Sequence, residues 1–245
     1  MLKAVTFDFW NTLFVDTRGS ERERRRVQVL AAELARTDQR LPIPVVEEAL
    51  RTGISFFDEV WYNEHRTPTC AEIVDTILNT LGVRLPRDIV AEVVTQYEEM
   101  ILELPPEPSP GAGRVVAMLA QQYRLGVICD TAYSPGRVLR QLLSRHFALH
   151  DFVYLFFSDE HGMSKPDIRV FGRTLTELHV DARQAAHVGD IQRTDIAGAQ
   201  AAGMSAVHYI GANSHDAARS TAEVVVRRFD DIPRALGKLP RRRRR

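Results

Sequence analysis

KAVTFDFWNTL, Lys3–Leu13, is the stretch from which the rest of the chain can be placed. Its apolar run, Ala4 to Phe7, stops at Asp8, and Asn11-Thr12 follow within one turn. Val, Thr and Phe favour a strand, and the missing polar alternation predicts one buried on both faces, as in a parallel sheet. A carboxylate where such a strand stops sits at the carboxyl edge of the sheet, where open α/β sheets bind ligands. Asp8 alone could equally cap a helix or close a turn, since position in a fold does not establish function.

Beyond Thr17 the character changes. Strand-like runs vanish until about Glu103, and helical periodicity replaces them. Glu21–Ala35, Val45–Tyr62 and Cys70–Leu81 read as amphipathic helices, the third capped by Pro68-Thr69, and Pro86-Arg87-Asp88 opens a fourth through Leu102. Pro105, Pro106, Pro108 and Pro110 mark the return. From Gly111 helices and strands alternate. Helices are expected at Gly113–Gln122, Pro135–Leu143, Asp167–Leu178, Asp195–Ala202 and Ile232–Leu236. Strands are expected at Leu125–Cys129, Val153–Phe157, Ala185–Val188, Ala206–Ile210 and Val224–Val226. Such alternation with short links gives βαβ units and a doubly wound parallel sheet. The expected architecture is an α/β, Rossmann-like core over residues 1–16 and 105–240, a four-helix cap over 17–104, and a basic tail, Arg241–Arg245, read as a solvated end.

A chain of 245 residues can bury a full core. Its formal net charge is zero, which argues against bulk binding to nucleic acid or a membrane surface. No segment reaches the ~18 apolar residues of a membrane span. The two cysteines, Cys70 and Cys129, have neither disulfide-framework nor metal-type spacing, which fits a reducing cytoplasm. A monomer or a homodimer fits equally.

The chemistry lies at the strand ends. Asp8 ends the first strand, Cys129-Asp130-Thr131 another, and Gly189-Asp190 a third. Asp195 opens the helix after that, and Ser164-Lys165-Pro166 precedes a helix of its own. In a parallel sheet these ends share one edge, so carboxylates and one ammonium converge. Clustered carboxylates repel unless a cation neutralises them. Oxygen ligands of this kind suit Mg²⁺, which also binds substrate phosphate. A carboxylate held against a phosphoryl group can attack it in line.

Four motifs carry a resemblance to the haloacid dehalogenase-like hydrolase superfamily: DFWNTL at Asp8–Leu13, LGVICDT at Leu125–Thr131, SKPDIRVF at Ser164–Phe171 and HVGDIQRTDIAGAQAAGM at His187–Met204. The resemblance implies that Asp8 is the nucleophile, that Thr12 supports its loop, and that Lys165 balances charge. It puts the hydroxyl position of the second motif on Cys129, with Asp130 beside it. It also implies that Asp190 binds metal with Asp8 and the main-chain carbonyl of Trp10, while Asp195 holds that metal site from behind.

Two departures matter. Phosphatases of that superfamily usually carry a second aspartate two residues after the nucleophile as general acid/base, where this chain has Trp10, and indole is no acid or base at neutral pH. The dehalogenases that name the superfamily have an aromatic residue there and use no metal. Cys129 also stands where a hydroxyl is expected, and Thr131 is the alternative source. The leading expectation is therefore a Mg²⁺-dependent phosphohydrolase acting on a small phosphorylated metabolite. Behind it stand a metal-independent 2-haloacid dehalogenase, which would need a cap arginine from Arg18, Arg22, Arg24, Arg25 or Arg26, and a catalytically impaired phosphate- and Mg²⁺-binding protein. Asp130, and after it Glu64, His65 and Arg66, are the candidate substitutes for the missing acid. Phe56, Phe57, Trp61 and Tyr62 are read as packing the cap rather than lining a pocket.

Overall fold

The first strand, β1, spans Ala4–Phe7, and all of its residues are buried. The computed structural model describes residues 1–240, so the arginine run at the end of the chain lies outside the described residues. In chain order the elements after β1 are β2 (Phe14–Val15), α1 (Gly19–Arg36), α2 (Ile43–Asn63), α3 (Cys70–Leu81), α4 (Arg87–Glu103) and β3 (Glu107–Pro108). Then come α5 (Ala112–Ala120), β4 (Arg124–Cys129), α6 (Gly136–His146), β5 (Phe152–Phe157), α7 (Ser158–His161), α8 (Ile168–Glu177), β6 (Ala185–Gly189), α9 (Ala197–Ala201), β7 (Ser205–Tyr209), β8 (Val224–Val226) and α10 (Ile232–Lys238).

Six strands form one parallel sheet in the order β5-β4-β1-β6-β7-β8. β1 lies inside it, pairing Phe7 with Val127 on one side and with Val188 on the other. That register brings the next residues of β1, β4 and β6 to one edge. The sheet is covered on both faces. Val5 and Phe7 pack with Val115, Leu139 and Ile232 of α5, α6 and α10. Ala4 packs with Val170, Phe171 and Ala199 of α8 and α9. Burial on both faces is why β1 shows no polar alternation.

Helices α1–α4 form the insertion, with an apolar cluster of their own built around Leu30, Leu34, Leu50, Ile73, Ile77 and Tyr97. Local signals set its helix ends. Thr69 and Glu72 form a reciprocal cap on α3, and Gly82 closes that helix in the left-handed conformation at φ 66°. Pro42 and Pro86 stand just before α2 and α4, where their missing N–H costs nothing. The return is more ordered than a proline hinge: β3 pairs antiparallel with β2, and Ser109 N donates to Leu13 O at 2.9 Å. Entry to and exit from the insertion are thus tied together beside the first strand.

Asp195 does not open its helix. It sits within a wide helical turn, Gln192–Ile196, that precedes α9. The Ile191 carbonyl accepts from both Asp195 N and Ile196 N, at 2.9 and 3.3 Å, so the chain is already helical when it reaches Asp195. α9 in turn lies close against α8 and the lysine loop. A Cβ on Gly198 would stand 2.6 Å from the Phe171 ring and 3.1 Å from Pro166 Cα. Gly198→Ala is expected to destabilise the fold by about 1–3 kcal/mol through overpacking, read as a lowered urea midpoint. An unchanged midpoint would contradict this close approach.

Candidate active site

The parallel register delivers Asp8, Asp130 and Asp190 to one edge, directly after β1, β4 and β6. Lys165 enters from the loop between α7 and α8. Its Nζ donates to Asp8 Oδ1 and, at 2.7 Å, to Asp195 Oδ1. Its backbone N donates to Asp130 Oδ1 at 3.0 Å, so Asp130 fixes the lysine's main chain. Asp8, Lys165, Asp190 and Asp195 are all buried.

Asp195 is held on every side. Its Oδ1 accepts from Lys165 and from His187 Nε2 at 3.1 Å, and its Oδ2 accepts from Ile191 N at 2.9 Å. Burial lowers the His187 pKa and keeps its ring neutral. With the Nε2 proton donated to Asp195, Nδ1 accepts from the Thr6 hydroxyl at 2.8 Å. Asp190 is positioned through both its carbonyl, which accepts from His208 Nε2 at 2.8 Å, and its Oδ2, which accepts from Asn213 Nδ2 at 2.8 Å.

These surroundings set the charges. Burial opposes ionisation of Asp195, but Lys165 and His187 outweigh it and hold its carboxyl well below the usual range. Asp190 is pushed up to about 7, by burial first and by the charge of Asp195 second. Asp8 is also raised: burial, with Asp195 and Asp190 added, outweighs the pull of Lys165. Lys165 is buried too, yet its carboxylate neighbours keep it firmly protonated. One ammonium therefore serves more carboxylates than it can neutralise.

Asp8, Asp190 and Asp195 each offer a ligand atom within 4.8 Å of one another, and all three are buried. The Asp195 oxygens are already engaged, whereas among the described residues Asp8 and Asp190 each keep one oxygen without a side-chain donor. A hard divalent cation fits this oxygen set and its surplus negative charge.

These groups open onto a cavity of about 430 Å³, walled on the core side by Asp8, Trp10, Asp130, Lys165 and Asp190 and on the cap side by Arg26, Leu50, Phe57 and Trp61, among others. Thr12, Cys129 and Thr131 are buried but do not line it. Among the described residues the Thr12 hydroxyl has no partner, and the carbonyl of Thr12 accepts from Ser109 Oγ at 2.5 Å. Burial, reinforced by Asp8, pushes the Cys129 thiol far up, and its Sγ faces Asp130 O at 3.6 Å. Thr131 shares hydroxyl contacts with Ser158 at 3.0 Å and Thr67 at 3.4 Å. Glu64 and His65 are exposed, and Arg66 pairs with Glu64 and Glu72 outside the cavity.

Trp61 departs from the packing expectation. Its indole Nε1 donates to Asp130 Oδ2 at 2.9 Å, so the cap grips the core at the residue that places Lys165. Arg193, from the turn that carries Asp195, stacks over Trp61 and Tyr62 at 4.6 and 4.0 Å from their ring centroids. Phe57 lines the cavity as well, while Phe56 packs against the cap cluster. The helical spacing of Trp61 could not separate these roles, because a core stripe and a pocket wall share one period. His187 also stood unread inside HVGD.

The parallel sheet, its one-edged acidic cluster and its helical insertion define an α/β enzyme with a cap over its site. The family model for haloacid dehalogenase-like hydrolases matches residues 2–203, and the chain belongs to that family. It is 31% identical to glyceraldehyde 3-phosphate phosphatase of Methanothermobacter thermautotrophicus over 84% of this chain and 85% of the relative. Its fold is similar to that of a 2-haloacid dehalogenase from Pseudomonas syringae pv. Tomato DC3000, with TM-score 0.70, 24% identity and coverage of 97% and 99% of the two chains. It is also similar to a hydrolase of the same superfamily from Bacillus subtilis, in a structure bound to magnesium, with TM-score 0.66, 16% identity and coverage of 96% and 99%.

Because Asp190 titrates near neutrality, protons compete with any cation at this cluster. Thermal stabilisation by millimolar Mg²⁺ is expected to be slight at about pH 5.5 and to grow as Asp190 ionises toward about pH 8. Melting curves at both pH values check this, and an equal gain at each would contradict it.

Proposed function

We propose that the protein is a Mg²⁺-dependent phosphohydrolase acting on a small phosphorylated molecule. The observation that carries this reading is the buried trio Asp8, Asp190 and Asp195, joined to a single lysine on the wall of a closed-over cavity. The relative from Methanothermobacter, named for phosphatase activity, supports it.

In this reading Asp8 is the nucleophile. The oxygen of Asp8 not bonded to Lys165 attacks phosphorus, and the bond from phosphorus to the leaving oxygen breaks. Water then attacks the aspartyl-phosphate, the bond to Asp8 breaks, and inorganic phosphate leaves. Lys165 orients Asp8 and offsets charge on the phosphoryl oxygens. Asp190, Asp8 and the main-chain carbonyl of Trp10 are the proposed metal ligands, with Asp195 holding Lys165 and the Ile191 backbone in place. A bound Mg²⁺ would neutralise the carboxylates and polarise the phosphoryl group. Thr12, Cys129 and Thr131 act from behind the cavity wall, on the loops that carry Asp8 and Asp130. The buried free thiols Cys70 and Cys129 suit a reducing cytoplasm, and no helix among the described residues is long and apolar enough to cross a membrane.

Trp10 leaves the leaving group without a carboxylic acid at that position. Asp130 does not replace it, because Trp61 and the Lys165 backbone occupy its two oxygens. Good leaving groups are therefore expected to react much faster than alkyl ones. Trp10→Asp is expected to raise kcat on alkyl phosphates by about tenfold or more, the low side of what an acid contributes. No gain on alkyl substrates would contradict this account of position 10.

The same residue is what favours a dehalogenase as the second reading. Against it stands the surplus negative charge of the site, which repels any anionic substrate unless a metal neutralises it, and a metal-independent dehalogenase would lack that metal. Phosphate release from a phosphomonoester panel, with Mg²⁺ and with EDTA, separates the two when chloride release from 2-chloropropionate is followed in parallel. Mg²⁺-dependent phosphate release that falls by at least ~10³-fold in Asp8→Asn is expected. Metal-independent chloride release would overturn the proposal.

A further inference from the structure

Asp190 is gripped by the chain that follows β7. Parallel pairing sets Gly189 of β6 beside His208 of β7, so the segment leaving β7 starts next to Asp190. From that segment Asn213 Nδ2 donates to Asp190 Oδ2 at 2.8 Å. The Asn213 amide is not free to turn over. Its Oδ1 accepts from His215 N at 3.1 Å, a local turn that leaves Nδ2 for the carboxylate. His208 Nε2 donates to the Asp190 carbonyl at 2.8 Å, and its Nδ1 accepts from the Ser220 hydroxyl at 2.8 Å. The segment is also tied to the turn that bears Asp195. Gln192 N donates to Asp216 Oδ2 at 3.3 Å, and the side chain of Gln192 bonds Thr221 in both directions at 2.9 Å.

This grip decides how many oxygens Asp190 can give a cation. Asn213 commits Oδ2, and Oδ1 remains, just as Lys165 commits Asp8 Oδ1 and leaves the other oxygen of Asp8. Each carboxylate therefore faces the cluster with one oxygen. The distinction matters because divalent ions differ in what they accept. Ca²⁺ takes about six to eight oxygen ligands in a flexible shell and readily uses both oxygens of a carboxylate. Mg²⁺ is smaller and demands a near-octahedral shell, which the narrow bite of a two-oxygen carboxylate does not fit. Hydrogen bonds to a ligand fix its orientation and tune the metal it binds.

We propose that Asn213 makes the site select Mg²⁺ over Ca²⁺, by occupying Asp190 Oδ2 and so limiting Asp190 to one-oxygen coordination. The proposal rests on the Mg²⁺-dependent reading above. Asn213 acts through Asp190 and is a positioning residue. Without its amide, both Asp190 oxygens are open to a cation, and the larger ion gains a contact that the smaller one cannot use.

The test is a series of melting curves of the full chain at about pH 8, across concentrations of MgCl₂ or of CaCl₂, which yields a Kd for each ion from the stabilisation. In Asn213→Leu, close to asparagine in volume but without the amide, the ratio of the Kd for Ca²⁺ to the Kd for Mg²⁺ is expected to fall by about tenfold or more. Asn213→Ser is expected to lower the ratio in the same direction. Its hydroxyl can keep the local bond to His215 N but is too short to reach Asp190, so it keeps the test open if Asn213→Leu does not fold. A segment that only supported the fold would change the melting temperature without added ion and leave the ratio where it was. An unchanged ratio in the folded variants, with Mg²⁺ still stabilising wild type, would overturn this proposal alone. No stabilisation of wild type by Mg²⁺ would overturn the Mg²⁺-dependent reading, and this proposal with it.

Discussion

One ammonium shared between two carboxylates holds the site together. Lys165 Nζ bonds Asp8 and Asp195 at once, and its own main chain is pinned by Asp130. Asp8 follows β1, Asp130 follows β4, and Asp195 sits in the turn after β6. The lysine therefore ties three adjacent crossovers at one sheet edge. Behind Asp195 runs the buried line through His187 to Thr6, which fixes the imidazole tautomer from within β1 itself. Removing one partner of such a network would leave a buried charge uncompensated, which typically costs about 3–5 kcal/mol. A single lysine does not balance Asp8, Asp130, Asp190 and Asp195 together, and the surplus is met by the raised pKa values of Asp8, Asp130 and Asp190, which leave room for a proton or a cation at the cluster.

The cap completes this arrangement instead of merely covering it. Trp61 reaches from α2 to Asp130, and Arg193 stacks under Trp61 and Tyr62 from the turn that bears Asp195. The Ser164 amide also donates to the His65 carbonyl at 2.7 Å, next to the lysine. Cap contacts thus touch the loops that carry Asp130, Lys165 and Asp195. The contacts are an indole N–H on Asp130, a guanidinium stacked on Trp61 and Tyr62, and one main-chain bond beside the lysine.

Much of this was legible in the sequence because it rests on local signals. β1 shows as an apolar run ending in Asp8, α3 shows through Thr69 and Glu72, and Gly189-Asp190 shows as a strand end. Parallel topology then sends such ends to one edge without further information. What depended on distance between segments was not legible. Trp61 has the same helical phase whether it packs the bundle or reaches Asp130. Arg22 sits in a run of arginines that reads as a charged helix face, and only the fold shows that it turns inward to Asp16 and the Leu104 carbonyl. The β2–β3 pair was invisible because two-residue strands in a proline-rich return carry no periodicity. Asp195 looked like a helix opener because a wide turn before α9 leaves no mark in composition.

The central claim is that Asp8, made nucleophilic within this charged cluster, takes up a phosphoryl group. The most direct measurement is mass spectrometry of protein quenched in acid during turnover of an aryl phosphate with Mg²⁺. The account predicts the added mass of one phosphoryl group on the peptide that carries Asp8, absent with EDTA and absent in Asp8→Asn. Turnover of the substrate with no adduct on that peptide, or an adduct that persists in Asp8→Asn, would contradict it.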